Sequence, residues 1–260
     1  TLSVAKIREY CGYFNDFEVY TLIILLFHKQ FQLNFPKRKT IIFVSILALS
    51  SFFYLARTNF IQFVILFMAM KGWLVFNKRS ITILSSLLVF SVLSYAAIYN
   101  YNPKRNGSGL DEFLYKIKLI PLEAFATKIN REDWKDFHDH YRSYENIRTV
   151  EQLSHNNTFS FGEGMGSQVD LKQKVYLGDM EMRHISILHN GYMTVFLKSG
   201  IPGLLILFGS ILFFFKKFNS YSEIDSKINL LFLGTGVFLI FSYWVFMGFY
   251  NLIDTKTLLI

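Results

Sequence analysis

"SILHNGYMTVFLKSGIPGLL" (residues 186–205) opens an apolar run of membrane length with His189 and Asn190, then interrupts it with Lys198, Gly200, Pro202 and Gly203. Polar groups at the head of a helix entering lipid are costly unless they line a cavity or sit at a boundary. The Gly-Pro break can separate residues 189–199, as a short helix, from a tight span starting at Ile201. This stretch marks the point at which a polytopic chain returns to the bilayer.

Working outward, the 52% hydrophobic content of the 260 residues is clustered, not dispersed. Five apolar segments, 40–56, 60–76, 80–101, about 190–215 and 228–250, reach the roughly 17–25 residues that cross a bilayer. A sixth, around 13–35, has the short core "VYTLIILLF" followed by His28, Lys29 and Gln30, and reads equally as a surface-lying helix or a span. Residue 1 is Thr and no signal-peptide pattern opens the chain, so it reads as a piece of a longer one with further spans expected upstream. The lone Cys11 excludes an internal disulfide and a Cys-based zinc site.

The net charge of +8 does not point to nucleic acid, because basic residues concentrate in the short connections "PKRK" (36–39), "NKR" (77–79) and "KK" (216–217). Under the positive-inside rule all three are cytoplasmic. The spans then alternate consistently and leave residues 102–188 outside the cytoplasm. The expected fold is all-α, a polytopic transmembrane helix bundle with an extracytoplasmic, mainly helical cap. Its parts are residues 1–101 (N-terminal spans), 102–188 (cap) and 189–260 (C-terminal spans). Within the cap, "GLDEFLYKIKLIPLEAFATKI" (109–129), broken at Pro121, and "REDWKDFHDHYRSYENIRTVEQL" (131–153) carry apolar residues at helical spacing. "FSFGEGMGSQVDL" (159–171) reads as a turn that brings the cap back to the membrane.

Several residues could carry chemistry on the outer face. Arg57, in "SSFFYLARTNF" (50–60), ends an outward-running span, where a guanidinium either snorkels to lipid phosphates or holds a bound anion. His189 is suited to accept a proton from a hydroxyl near neutral pH, or it and Asn190 merely cap a helix. Arg142 and Glu145 lie three apart on the second cap helix, with Arg148 following, and such pairs are mostly solvated surface charges. "GEGMG" lacks the Lys-Ser/Thr ending and the strand-to-helix context of a phosphate loop. His138, His140, His155 and His184 lack metal-ligand spacing, so no metal is expected.

On these residues the chain resembles the O-antigen ligase and O-antigen polymerase family of bacterial polysaccharide assembly, over about residues 40–255. The matching features are the outer Arg in "LARTNF", the cap with "YRSYEN" and "FGEGMGSQVDL", and above all the block "ILHNGYMTVFLKSGIPGLL". The resemblance implies an inverting, metal-independent and cofactor-free glycosyltransferase in the bacterial inner membrane, with its active site on the periplasmic side. Its implied donor is a glycan linked through diphosphate to undecaprenol. The implied surroundings are the lipid bilayer and other polysaccharide-assembly proteins, with no nucleic acid. By position, His189 would serve the acceptor hydroxyl, while Arg57 and Arg142, with Arg148 as a third, would hold the diphosphate. Glu145, Asn190 and Tyr192 would be substrate contacts. Lys198 stands where ligase-like members often carry an acidic residue, which points to a polymerase first and a ligase second. A transporter or flippase component for a lipid-linked anion is the alternative from another class.

Overall fold

Apolar runs bounded by basic residues, Gly and Asn become helices in the computed structural model. It describes residues 15–54, 57–104, 110–111, 114–115, 117–119, 126, 129, 137, 139–177, 180–219 and 221–245. Cys11, Pro121, His138 and the expected end of the last span at 246–250 lie outside the described residues. The chain folds as two units, residues 1–81 with 208–260, and residues 82–207.

In the first unit, α1 (Asn15–Leu26) packs on α2 (Lys37–Tyr54) and α3 (Arg57–Met70), and α3 packs on α7 (Glu223–Val245). Val19, Ile23, Phe27, Leu66 and Met70 form its core. Gly234 permits close approach of α7 to α3, since a Cβ there would lie 2.7 Å from that of Ala69; small residues serve this purpose between membrane helices. The doubtful sixth segment does not lie free on a surface. Its described helical part is the 12-residue α1, in which Val19, Leu22, Ile23 and Leu25 are buried, and the start of the segment at 13–14 lies outside the described residues.

Among the described residues, three helices are long and apolar enough to cross a membrane, at Lys78–Tyr101, Gly191–Phe213 and Glu223–Trp244. The expected span at 60–76 is shorter, because α3 ends at Met70. Gly72 takes a left-handed φ of 73°, and bonds from Gly72 N–H to Ala69 O (2.8 Å) and Trp73 N–H to Met68 O (2.9 Å) close the helix in a Schellman-type turn. Lys71 at that end stacks over the Phe67 and Phe27 rings at 5.5 and 5.6 Å. The next helix, α4 (Lys78–Tyr101), opens with Asn77 Oδ1 accepting Ser80 N–H (2.9 Å).

The second unit contains α5 (Tyr141–His155), an antiparallel hairpin of β1 (Val169–Leu177) and β2 (Met180–Ile185), and the polar head of α6 (Gly191–Phe213). The hairpin departs from a mainly helical cap. Val169, Leu171, Val175 and Leu177 alternate with polar residues in one phase, broken only at Gln173, which is a strand pattern, and the pairing shifts register between Asp170 and Val175, with Lys172 at φ 56°. Buried Val169, Leu171, Val175, Ile185, Leu188 and Leu197 join Tyr144 and Leu153 of α5 in one core.

The expected break in the last-but-one span is present. Gly200 adopts φ 62° and ψ −152° inside α6, and Pro202 lacks the N–H that Lys198 O would otherwise receive. Three backbone groups are left without helical partners, and the 159–164 segment supplies all three. Glu163 N–H donates to Leu197 O (2.8 Å), Gly164 N–H to Lys198 O (3.0 Å), and Ile201 N–H donates to Phe159 O (3.2 Å). Where the two backbones cross, both residues are glycine. A Cβ on Gly162 would lie 2.6 Å from the backbone of Lys198 and Ser199, and one on Gly200 2.6 Å from the backbone of Gly162 and Phe161. Gly162 also has a left-handed φ of 68°.

Gly162→Ala, which meets backbone on one side and strain on the other, is therefore expected to cost at least about 2 kcal/mol. Gly209→Ala, with open space around its Cβ, serves as the control. Thermal unfolding of the detergent-solubilised protein should show a clear drop in Tm for the first and little change for the second.

Candidate active site

His189 immediately precedes α6, and its geometry is set by Glu145 of α5, which is 1% exposed. The carboxylate accepts the backbone N–H of His189 (2.9 Å) and faces the ring Nδ1 through both oxygens (2.9 and 3.1 Å). Because a carboxylate that already receives a backbone N–H acts as an acceptor, Nδ1 is the protonated nitrogen. In the neutral ring Nε2 then carries the lone pair. The His189 side chain is 37% exposed, so this nitrogen belongs to a half-open surface.

Two further contacts hold the pair in place. The Tyr141 ring meets the imidazole edge-to-face at 5.7 Å. Burial, and secondarily the Glu145 charge, push the Tyr141 hydroxyl pKa well above its ordinary value, so it stays neutral and adds no second anion. Thr149 Oγ1 donates to Glu145 O (2.8 Å) and the Tyr144 hydroxyl to Leu171 O, tying α5 to itself and to β1.

The helix head is equally constrained. Asn190 is buried and caps α6, its Oδ1 accepting Met193 N–H (3.2 Å). Thr194 Oγ1 donates to Asn190 O (3.0 Å) and accepts Leu188 N–H (3.1 Å). Tyr192 is buried beside it. At its other end α5 grips the loop that fills the Gly200 break. Gln152 Nε2 donates to Glu163 Oε2 (2.6 Å) and Gln168 O (2.9 Å), its Oε1 accepts Asp170 N–H (3.0 Å), and Asn156 Nδ2 donates to Glu163 Oε1 (2.7 Å). Glu145, Gln152 and Asn156 lie seven and four residues apart, on one helical face. That face bonds His189 directly and reaches Leu197 and Lys198 through the loop.

The remaining expected site residues are placed as follows. Arg142 is half-buried on α5. Arg148 is 12% exposed, pairs with Glu151 and donates from Nε to Asp170 O (3.3 Å), so its guanidinium braces α5 against β1. Arg57 begins α3 in the first unit, and its side chain lies outside the described residues. Lys198 donates to Met165 O (2.8 Å) and Ser167 O (3.1 Å), a role in loop anchoring that its sequence position did not suggest. Tyr141, Gln152 and Glu163 were also not singled out by sequence, since each acts through contacts that no local pattern encodes. Among the described residues, no group of three or more His, Cys, Asp or Glu side chains lies close enough to share an ion.

The family profile described as O-antigen ligase matches residues 21–208, well over half of the chain. The chain belongs to the O-antigen ligase family. Neither curated proteins nor solved structures add a match. The matched region runs from within α1 into α6, so both the Glu145–His189 pair and the Gly162–Gly200 crossing fall inside it. With the three apolar helices, the match makes this an integral membrane protein of O-antigen ligase and polymerase type.

Glu145→Ala removes the acceptor of two donors in a buried setting, and leaving such donors unpaired costs about 1–3 kcal/mol. Arg183→Ala breaks only an exposed pair with Asp170, in which Arg183 holds the carboxyl well below the usual carboxylate range, and water replaces that contact. Thermal unfolding should show a marked fall in Tm for Glu145→Ala and a small one for Arg183→Ala.

Proposed function

We propose that this protein transfers an undecaprenyl-diphosphate-linked glycan to a sugar hydroxyl at the periplasmic face of the bacterial inner membrane, with His189 as the base. The observation that carries the reading is the buried Glu145 carboxylate on Nδ1 of a half-exposed imidazole. This arrangement leaves Nε2 as proton acceptor and stabilises the imidazolium once it forms, as an orienting carboxylate does for other His bases. In the reaction the acceptor oxygen attacks the anomeric carbon and its proton passes to Nε2. The bond from that carbon to the diphosphate breaks with inversion, and the electron pair leaves with the diphosphate. Arg57 and Arg142 neutralise the charge developing there. Arg148, already committed to Glu151 and Asp170, acts mainly by holding α5. Asn190 and Tyr192 shape the acceptor side.

The acceptor assigned first is another carrier-linked repeat unit, which makes the protein a polymerase. Lys198 supports this choice: its ammonium holds two loop carbonyls, contacts that the acidic residue common in ligase-like members could not make. The family description favours the second reading, a ligase whose acceptor is lipid A core. Purified protein in vesicles, offered carrier-linked repeat units with and without lipid A core and no ion gradient, separates these readings. Elongated carrier-linked chains support polymerase, glycan on lipid A core supports ligase, and no glycan transfer to either refutes both and returns the transporter reading.

His189→Ala and Arg57→Ala are expected to abolish polymer while membrane insertion stays normal; long chains from either variant would refute its role. Glu145→Gln is expected to lower kcat by about 10²–10⁴-fold with little change in KM. Its amide N–H would face Nδ1 and select the tautomer that blocks Nε2.

A further inference from the structure

The 159–167 loop carries two large apolar side chains with nothing over them. Phe161 is 79% and Met165 78% exposed, although the loop is tied down at both ends. Its backbone is bonded to α6 at Leu197, Lys198 and Ile201, and Lys198 holds the carbonyls of Met165 and Ser167. The depth of that docking point follows from length. Below the break, the helical residues 201–213 rise about 20 Å at 1.5 Å per residue. Phe214 and Phe215, even fully extended, add only about 7 Å before the basic pair Lys216–Lys217. A hydrocarbon layer of roughly 30 Å is not filled by that stretch, so Gly200 and the loop backbone lying against it sit within the apolar layer, close to its edge.

Continuity supports the same conclusion. Directly below the break, Ile201, Leu205 and Ile206 are exposed along α6, as expected of a spanning helix facing lipid. On the other side, the loop's charged Glu163 is turned away into the amides of Gln152 and Asn156. We propose that the 159–167 segment is seated in the bilayer, with the Phe161 and Met165 side chains in contact with lipid acyl chains. The GEGMG turn is thus both the plug of a broken helix and a membrane-dipped wedge at the break of the helix that follows His189. The proposal rests on the membrane character of α6 and not on the transfer chemistry.

The test uses the full chain with Cys11→Ala, carrying Met165→Cys, Phe161→Cys or, as a water-facing control on β1, Lys174→Cys. Each is labelled with a small fluorophore and reconstituted into phosphatidylcholine vesicles with iodide on both sides, or into vesicles of acyl-brominated phosphatidylcholine. A Tm matching that of the Cys11→Ala parent identifies the folded variants, and either loop position suffices. Labels at the loop should be quenched at least threefold more by brominated chains than the label at Lys174→Cys, with the order reversed for iodide. Equal iodide quenching at loop and control, without added quenching by brominated chains, would overturn the proposal.

Discussion

A helix that breaks must find new partners for the backbone groups it releases, because buried polar groups left unpaired are costly. In α6 the break at Gly200 and Pro202 releases the carbonyls of Leu197 and Lys198 and the N–H of Ile201, and the 159–164 segment receives all three. This requirement organises the second unit. The loop can reach the broken helix only if both crossing residues lack a Cβ, hence Gly162 against Gly200. It stays there because Glu163 is gripped by Gln152 and Asn156, and so α5 is brought alongside the head of α6. Once α5 lies there, its face presents Glu145 to His189.

The pairing of Glu145 with His189 shows how burial and chemistry are reconciled. A carboxylate that is almost fully buried loses its water, a loss tolerable only when strong donors replace it. Here the replacements are the Nδ1–H and backbone N–H of the same histidine, so the stability of the carboxylate and the orientation of the imidazole are one interaction. The neutral Tyr141 hydroxyl and the ring packed against the imidazole keep a competing charge out. An imidazole held in this way is fixed in orientation before anything meets its free face.

Much of the membrane architecture was legible from local pattern. Apolar runs at 80–101, 190–215 and 228–250 correspond to the three helices long enough to cross, and the Gly-Pro break fell where the structure bends. The family was legible too, from the "ILHNGYMTVFLKSGIPGLL" block together with the cap motifs. Other features were hidden for identifiable reasons. Gly72 ended α3 early through a left-handed turn that an apolar count does not register. The hairpin escaped although Val169, Leu171, Val175 and Leu177 alternate in one phase, because Gln173 interrupts the apolar set in β1 and Ile185 falls out of step with Met180 and Met182 in β2. "GEGMG" looked like a simple turn, since its function is to complete a helix more than thirty residues away in sequence.

By itself, then, the sequence determined which stretches favour lipid, where the helix before Phe213 must break, and which residue types stand at its head. These follow from properties carried by each residue and its near neighbours: transfer free energy, a missing N–H, a capping amide. Only the tertiary structure decided that Glu145 belongs to His189, 44 residues away. It also decided that Arg148 and Lys198 are braces committed to other partners. The physical reason is that a buried charge takes the donors that packing brings to it, and which donors those are depends on how α5, the glycine loop and the broken helix fit together.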